Sequence, residues 1–279
     1  MKRMLLKIED DFDLNAIAWS GQCFRWERAG ENCWRILHRE NCLYVTQRET
    51  GVFEPDCDQN EFSRYWRDYF DLDTNYREIR SKIDPNFDLF LHKAAQMGRG
   101  IRILRQDPWE TTICFIISQN RNIPAIERSV AQLCQCAGER RMDRRGRAYY
   151  AFPTPQAVLS LSREKLDSCR LGYRDKYVIE AAEAACDGRF APGQMQALDD
   201  ETLLRELSKL YGIGPKVASC IALFGFHRTD AFPVDTWIRK ALENEYPNGY
   251  PSERYRPYNG IYQQYIFACY RNAAARKTS

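Results

Sequence analysis

The sequence predicts an α+β protein: a small N-terminal antiparallel sheet domain packed on a large all-α body. Three observations predict it. The first ~55 residues alternate β-favouring segments with turn signals. From about residue 58 onward the apolar spacing becomes that of helices. Two helical patterns, 200–209 and 215–226, are joined by the stretch LYGIG alone, too short to be a loop of its own. The division expected is a sheet domain over 1–72 and a helical body over 73–279.

In chain order, FRWERAGENCWRILHRENCLYVTQ reads as strands broken by the turns RAGEN and HREN. In EFSRYWRDYF, Phe62, Tyr65, Trp66, Tyr69 and Phe70 fall at i, i+3, i+4, i+7 and i+8, a helix face of core aromatics. DPWE offers Asp107 as N-cap, Pro108 at the first helical position and Glu110 in the first turn, before the apolar run TTICFIIS. TPQAVLSL repeats the device at 154–161, YRDKYVIEAAEAACDG is a helix stopped near Gly188, and DDETLLRELSKL is another helix.

Composition bounds the function. With 279 residues and 44% hydrophobic side chains, the chain builds a sizeable core. It has no apolar run long enough for a membrane span, and its start turns acidic too soon for a secretory signal. The eleven cysteines include no C-x-x-C pair and only three histidines accompany them, so they read as reduced core thiols rather than a zinc site. Net charge is only +3, which does not by itself mark a nucleic-acid binder; the five arginines of GERRMDRRGR, 138–147, read as a solvated loop.

The chemistry concentrates in LYGIGPKVASCIALFGFHRTDAFPVD, 210–235. Gly212 and Gly214 allow positive φ and leave no Cβ in the way, so the following helix begins with bare N–H groups directed outward. Such a terminus attracts a phosphate diester, and the pattern resembles the helix-hairpin-helix element, which holds a DNA backbone without reading its sequence. Lys216 has two readings here, a phosphate-binding cation or an amine nucleophile able to attack a sugar C1′ and form a Schiff base. Asp235 opens the helix of PVDTWIRKAL as its N-cap, and a capping carboxylate can also stabilise positive charge building on a sugar ring.

The pairing of LYGIGPKVASC with FPVD is similar to the signature of the helix-hairpin-helix DNA glycosylase superfamily. SGQCFRW at 20–26, SQNRNI at 118–123, LGYRDKYV at 171–178 and GIYQQYIF at 260–267 resemble, in order, segments of the 8-oxoguanine DNA glycosylase/lyases, and the matches span nearly the whole chain. The resemblance implies a base-flipping repair enzyme with glycosylase and AP-lyase activity on 8-oxoguanine. It implies Lys216 as the Schiff-base nucleophile and Asp235 as the assisting carboxylate. Gly21 would accept a hydrogen bond from N7–H of the oxidised base through its carbonyl. Cys220 and Phe267 would lie against the two faces of the flipped base, and Gln263 would bond its Watson–Crick edge. Asn120 and Tyr173 would fill and wedge the gap in the duplex, Arg174 would contact the orphaned cytosine, and Gly212 and Gly214 would bring the hairpin to the backbone. No catalytic cofactor is implied; a structural monovalent cation on the carbonyls of the 208–213 turn is. The partner would be double-stranded DNA containing 8-oxoguanine, with no membrane, bound by a monomer in the cytoplasm at the bacterial nucleoid.

Two positions depart from the family pattern. Ala125 stands where vertebrate-like members carry an arginine that helps read the opposite cytosine, and Trp237 stands where they have histidine. Loss of a guanidinium fork predicts relaxed discrimination of the opposite base. Two rival readings are a glycosylase for another damaged purine, such as an alkylated one, and a non-catalytic helix-hairpin-helix module that merely clamps phosphate. Gly21, which serves only an N7–H base, weighs against the first, and the pairing of Lys216 with Asp235 against the second.

Overall fold

The computed structural model describes residues 4–275. Five antiparallel strands, β1 (Leu6–Lys7), β2 (Trp26–Gly30), β3 (Cys33–His38), β4 (Asn41–Glu49) and β5 (Val52–Pro55), form one sheet in the order β1-β5-β4-β3-β2. The meander follows from its turns: two residues separate β2 from β3 and two separate β3 from β4, with Arg39 accepting a positive φ of 53°.

A helix, Leu14–Ala18, interrupts the region expected to be strand. Asp13 caps it by accepting from the Ala16 N–H at 2.9 Å, and Leu14 and Ile17, three apart, bury completely. One turn is too short to register as periodicity. The aromatic stripe behaves as its spacing requires. Gln59–Glu61, Phe62–Trp66 and Arg67–Tyr69 run on as one helical rod with a π-type turn in its middle. Phe62, Trp66, Tyr69 and Phe70 bury against the sheet beside Trp26, Trp34 and Phe53.

The larger core belongs to the helices. Those that build the site are α1 (Pro108–Ser118), α2 (Ile123–Ala137), α3 (Asp175–Asp187), α4 (Asp200–Ser208), α5 (Pro215–Phe224), α6 (Thr236–Glu245) and α7 (Asn259–Ala275). Asp107 caps α1 through the Glu110 N–H at 2.8 Å, Asp199 caps α4 through the Thr202 N–H at 2.9 Å, and Gly188 ends α3 at φ +87°. Thr154 caps the short helix Pro155–Leu159 in the same manner.

Sheet and body are tied by buried polar contacts. Arg25 of the SGQCFRW segment pairs with Glu110 of α1 at 3.1 Å, both nearly inaccessible, and also donates to the Tyr150 carbonyl at 2.7 Å. Burial pushes the Glu110 carboxyl up and the Arg25 charge pulls it back only in part. His38 bridges the same seam: Nε2 accepts from the Asp107 N–H at 2.9 Å, which leaves Nδ1–H to meet the Tyr65 hydroxyl at 2.7 Å. Burial, then the Arg39 and Arg25 charges, hold this imidazole well below its usual range, so it is neutral.

The arginine-rich run is not a wet loop. It forms a hairpin, β6 (Arg140–Met142) and β7 (Ala148–Tyr150), laid against the sheet domain. Arg144 pairs with Glu61, Arg147 with Glu27 at 2.9 Å, and Arg145 stacks 3.7 Å over the Tyr44 ring. From the sheet side, buried Arg35 grips Asp143 of the hairpin turn at 2.9 Å. Acidic partners far away in sequence convert a basic run into a fastener.

Candidate active site

The hairpin turn between α4 and α5 is tight because of what lies under it. Gly212 sits at φ +85°, and a Cβ there would fall 2.2 Å from the Tyr177 ring. Tyr177 of α3 stands between Tyr173 and Tyr211, with ring centroids 5.8 and 5.1 Å away, so an aromatic row runs from the LGYR segment to the exposed hairpin tip. Gln119 donates to the Gly212 carbonyl at 3.0 Å and joins the hairpin to the end of α1. Gly214 is the N-cap of α5, Pro215 follows at the first position, and no side chain caps the helix. The first-turn N–H groups are therefore left for an external acceptor.

Lys216 lies in that first turn, half-buried, with its ammonium 5.4 Å from the centroid of the Phe115 ring. Phe115 stacks on Phe224 at 5.3 Å, giving the lysine an aromatic floor. One helical turn on, the Cys220 thiol is buried. Burial pushes it up, the neighbouring Lys216 charge pulls it down and the Asp235 carboxylate pushes it up again. Asp235 is the N-cap of α6, one oxygen accepting from the Ile238 N–H at 2.8 Å. Both line a single cleft of about 810 Å³, within the range of small-ligand sites.

The far wall comes from the two ends of the chain. Gln22 clamps the SGQ segment: its amide nitrogen donates to Ser20 Oγ at 2.7 Å and the Arg102 carbonyl at 2.8 Å, and its oxygen accepts from the Leu104 N–H at 2.8 Å. That holds Gly21 at φ +78° beside the Phe267 ring of α7, where a Cβ would sit 3.5 Å from the ring edge. Gln263, one turn earlier on α7, is buried, and its amide nitrogen donates to the Pro233 carbonyl at 3.0 Å.

Asn120 and Tyr173 meet at the rim. Asn120 takes a left-handed φ of 51°, and its amide nitrogen donates to the Tyr173 hydroxyl at 3.1 Å. Asn122, two residues on, caps α2 through the Ala125 N–H at 3.0 Å. Arg174 differs from expectation. A base-contacting arginine should face outward, yet Arg174 is 5% exposed, and its guanidinium donates to the Gln119 carbonyl at 2.8 Å and the Leu171 carbonyl at 3.1 Å while stacking on Tyr173. It braces the turn that presents Asn120 and Tyr173, because that turn leaves two carbonyls to be satisfied beneath the surface.

Several cleft residues carry no signal in the sequence. Gln119 and Arg121 flank Asn120 but read as ordinary polar loop; Arg121 bonds Ser129 at 2.6 Å and the Arg170 carbonyl. Gln264 and Arg271 occupy helical positions that periodicity assigns only to a face, as does Tyr177, which lies outside the cleft beneath the hairpin turn. Arg271 lies 5.9 Å over the Phe267 ring, and burial lowers its affinity for its proton. Trp237 and Ala125 are both half-buried, and Trp237 lines the cleft. In the 208–213 turn, the Leu210 and Gly212 carbonyls already accept from the Ile213 N–H and Gln119, each at 3.0 Å. Among the described residues, no group of three His, Cys, Asp or Glu side chains gathers as a metal site, and no helix is long and apolar enough to cross a membrane.

Residues 4–112 match the family described as 8-oxoguanine DNA glycosylase, N-terminal domain, and residues 113–250 match the HhH-GPD superfamily base excision DNA repair protein family. An 8-oxoguanine glycosylase/lyase of Clostridium acetobutylicum, solved with double-stranded DNA containing cytosine opposite 8-oxoG, superposes with a TM-score of 0.88 and 32% identity, covering 97% of this chain and 98% of that one. The chain belongs to the 8-oxoguanine DNA glycosylase family. Among curated members, an N-glycosylase/DNA lyase of Saccharomyces cerevisiae is 31% identical over 81% of this chain and 66% of its own length. A probable N-glycosylase/DNA lyase of Methanothermobacter thermautotrophicus is 28% identical over 85% and 83%. The Clostridium structure matches this chain from end to end, whereas the match spans about two thirds of the yeast relative.

Proposed function

We propose that this protein is a bifunctional DNA N-glycosylase and AP lyase that flips 8-oxoguanine out of duplex DNA and excises it. The observation that carries the reading is the convergence on one cleft of Lys216, Asp235, Cys220, Gly21 and Phe267, drawn from three separated stretches of chain. The target base must leave the stack before any chemistry, at a cost of a few kcal/mol. Asn120 and Tyr173 at the rim take up the gap, and the α5 N-terminus and hairpin hold the backbone. The base lies between the Cys220 side and the Phe267 ring, with its N7–H toward the Gly21 carbonyl and its Watson–Crick edge toward Gln263.

The Lys216 amine, once deprotonated, attacks C1′; the C1′–N9 bond breaks and the base departs with its electron pair and gains a proton. The Asp235 carboxylate stabilises the positive charge that builds on the sugar in between. Opening of the sugar ring gives the Schiff base, loss of a C2′ proton follows, and elimination breaks the bond to the 3′ phosphate. The chemistry needs no cofactor beyond the protein's own amine. The proposal includes a monomeric protein acting at the bacterial nucleoid, with a monovalent cation on the remaining carbonyls of the 208–213 turn.

Borohydride with a duplex carrying one 8-oxoguanine tests the reading. Wild type should form a covalent adduct, and Lys216→Gln should form none; a K216Q adduct removes Lys216 from the nucleophile's role. An alkylated-purine glycosylase would leave 8-oxoguanine intact and release a methylated purine. A phosphate clamp would bind duplex and release no base. The likeness to a 3-methyladenine glycosylase of Archaeoglobus fulgidus, at 16% identity and TM-score 0.72, is one of fold.

A further inference from the structure

Gln263, Phe267 and Arg271 follow one another at four-residue steps on α7, and all three line the cleft. The proposed function uses the first two. Arg271 is half-buried, and its guanidinium lies 5.9 Å over the Phe267 ring. It also donates to the Trp19 carbonyl, 252 positions away in the chain. Trp19 is the C-cap of the short helix Leu14–Ala18, and carbonyls at a helix end need donors from outside the helix. Two residues on, Gly21 lies against the edge of the same Phe267 ring. Arg271 thus contacts both halves of the far wall. The Glu127 charge acts on it, but no ion pair forms among the described residues.

We infer that Arg271 is a positioning residue for base recognition, fixing the Phe267 ring against the turn that carries Gly21. This rests on the function proposed above. Gln22 clamps that turn from within, through Ser20, the Arg102 carbonyl and the Leu104 N–H. Those bonds fasten it to the 102–104 segment; Arg271 fastens it to α7 itself. The flipped base is stacked on the ring and hydrogen-bonded by the Gly21 carbonyl, so the separation of the two groups sets how well N7–H is read. A guanidinium suits both tasks, since it packs over a ring while aiming an N–H at a carbonyl. An abasic site has no base to hold, so strand cleavage there does not depend on this alignment.

Single-turnover excision of 8-oxoguanine, and strand cleavage at a preformed abasic site in the same duplex, test this with wild type, Arg271→Met, Arg271→Lys, Phe267→Leu and the R271M/F267L double variant. Methionine keeps an apolar chain over the ring and removes both the charge and the donor. R271M should slow excision about 5- to 30-fold, the worth of a charge-assisted hydrogen bond and a cation–π contact at a partly exposed site, and leave abasic cleavage within about twofold. R271K, which can still donate to the Trp19 carbonyl, should fall between R271M and wild type. In the F267L background R271M should cost less than in wild type, because the two side chains act as one unit. Excision by R271M at the wild-type rate overturns the inference, and so does an R271K no faster than R271M. An equal loss of both activities overturns it too, since Arg271 would then hold the duplex or the fold as a whole, and so does full additivity with F267L. A wild type inert on 8-oxoguanine sinks the proposed function as well, whereas the other outcomes sink this inference alone.

Discussion

Substituting Gly212 by alanine should damage the hairpin by an amount that can be worked from its surroundings. At φ +85° an alanine costs about 1–2 kcal/mol relative to glycine. The new Cβ would also lie 2.2 to 2.6 Å from three Tyr177 ring atoms. The ring cannot swing aside, because Tyr173 and Tyr211 stand on either side of it. Overpacking of this kind costs about 1–3 kcal/mol. The sum is about 2–5 kcal/mol. With an unfolding entropy of about 2.1 cal/mol/K per residue over 279 residues, the melting temperature should fall by about 3–9 °C. Because Gln119 holds the Gly212 carbonyl, the displaced turn also disturbs the Asn120 rim, and duplex affinity should drop as well. Thermal melting and duplex titration of G212A, Y177A and the double variant measure this. Removing the ring removes the overlap, so the double variant should show a favourable coupling of about 1 kcal/mol or more. Gly214→Ala, at ordinary φ and with nothing within 4 Å, should melt close to wild type. A G212A protein that melts like wild type, or the absence of coupling to Tyr177, would refute the packing account.

The other predictions concern the seam, the acid limb and the opposite base. Glu110→Gln leaves the Arg25 charge buried without its partner, so it should destabilise by about 3–5 kcal/mol in denaturant melts; a loss under 1 kcal/mol would show the pair is dispensable. His38 is held neutral in the folded protein, below its unfolded value of 6.5. The unfolded chain therefore takes up the proton first, and this contribution to stability, present above pH 6.5, is lost as pH falls below it. The slope should approach about 1.4 kcal/mol per pH unit and flatten in His38→Gln; an unchanged slope would place the titration elsewhere. With Ala125 in place of an arginine, 8-oxoguanine should be removed at similar rates opposite cytosine, adenine and thymine, and Ala125→Arg should introduce a cytosine preference. A sharp cytosine preference in wild type would contradict this.

What the sequence alone determined is local. The fold class follows from alternating strands, from the aromatic stripe at 62–70 and from caps at Asp107, Thr154 and Asp235, since each depends only on residues a few positions apart. The hairpin is legible for the same reason: Gly212 and Pro215 shape its backbone wherever it sits, whereas Gly214, expected to use a positive φ, takes an ordinary −85°. What tertiary structure decided is who meets whom. Gly21 and Phe267 come from opposite ends of the chain and lie side by side where Gln22 is clamped to the 102–104 segment. The arginine-rich run acquired its role from Glu27 and Tyr44 of a distant sheet and from Glu61 of the helix that follows it. Arg174 turned inward to satisfy carbonyls that no local pattern announces. Periodicity states which face of a helix is apolar, but the partner of a buried polar group is a matter of three-dimensional neighbours, and so the cleft around Lys216 had to be seen to be assembled.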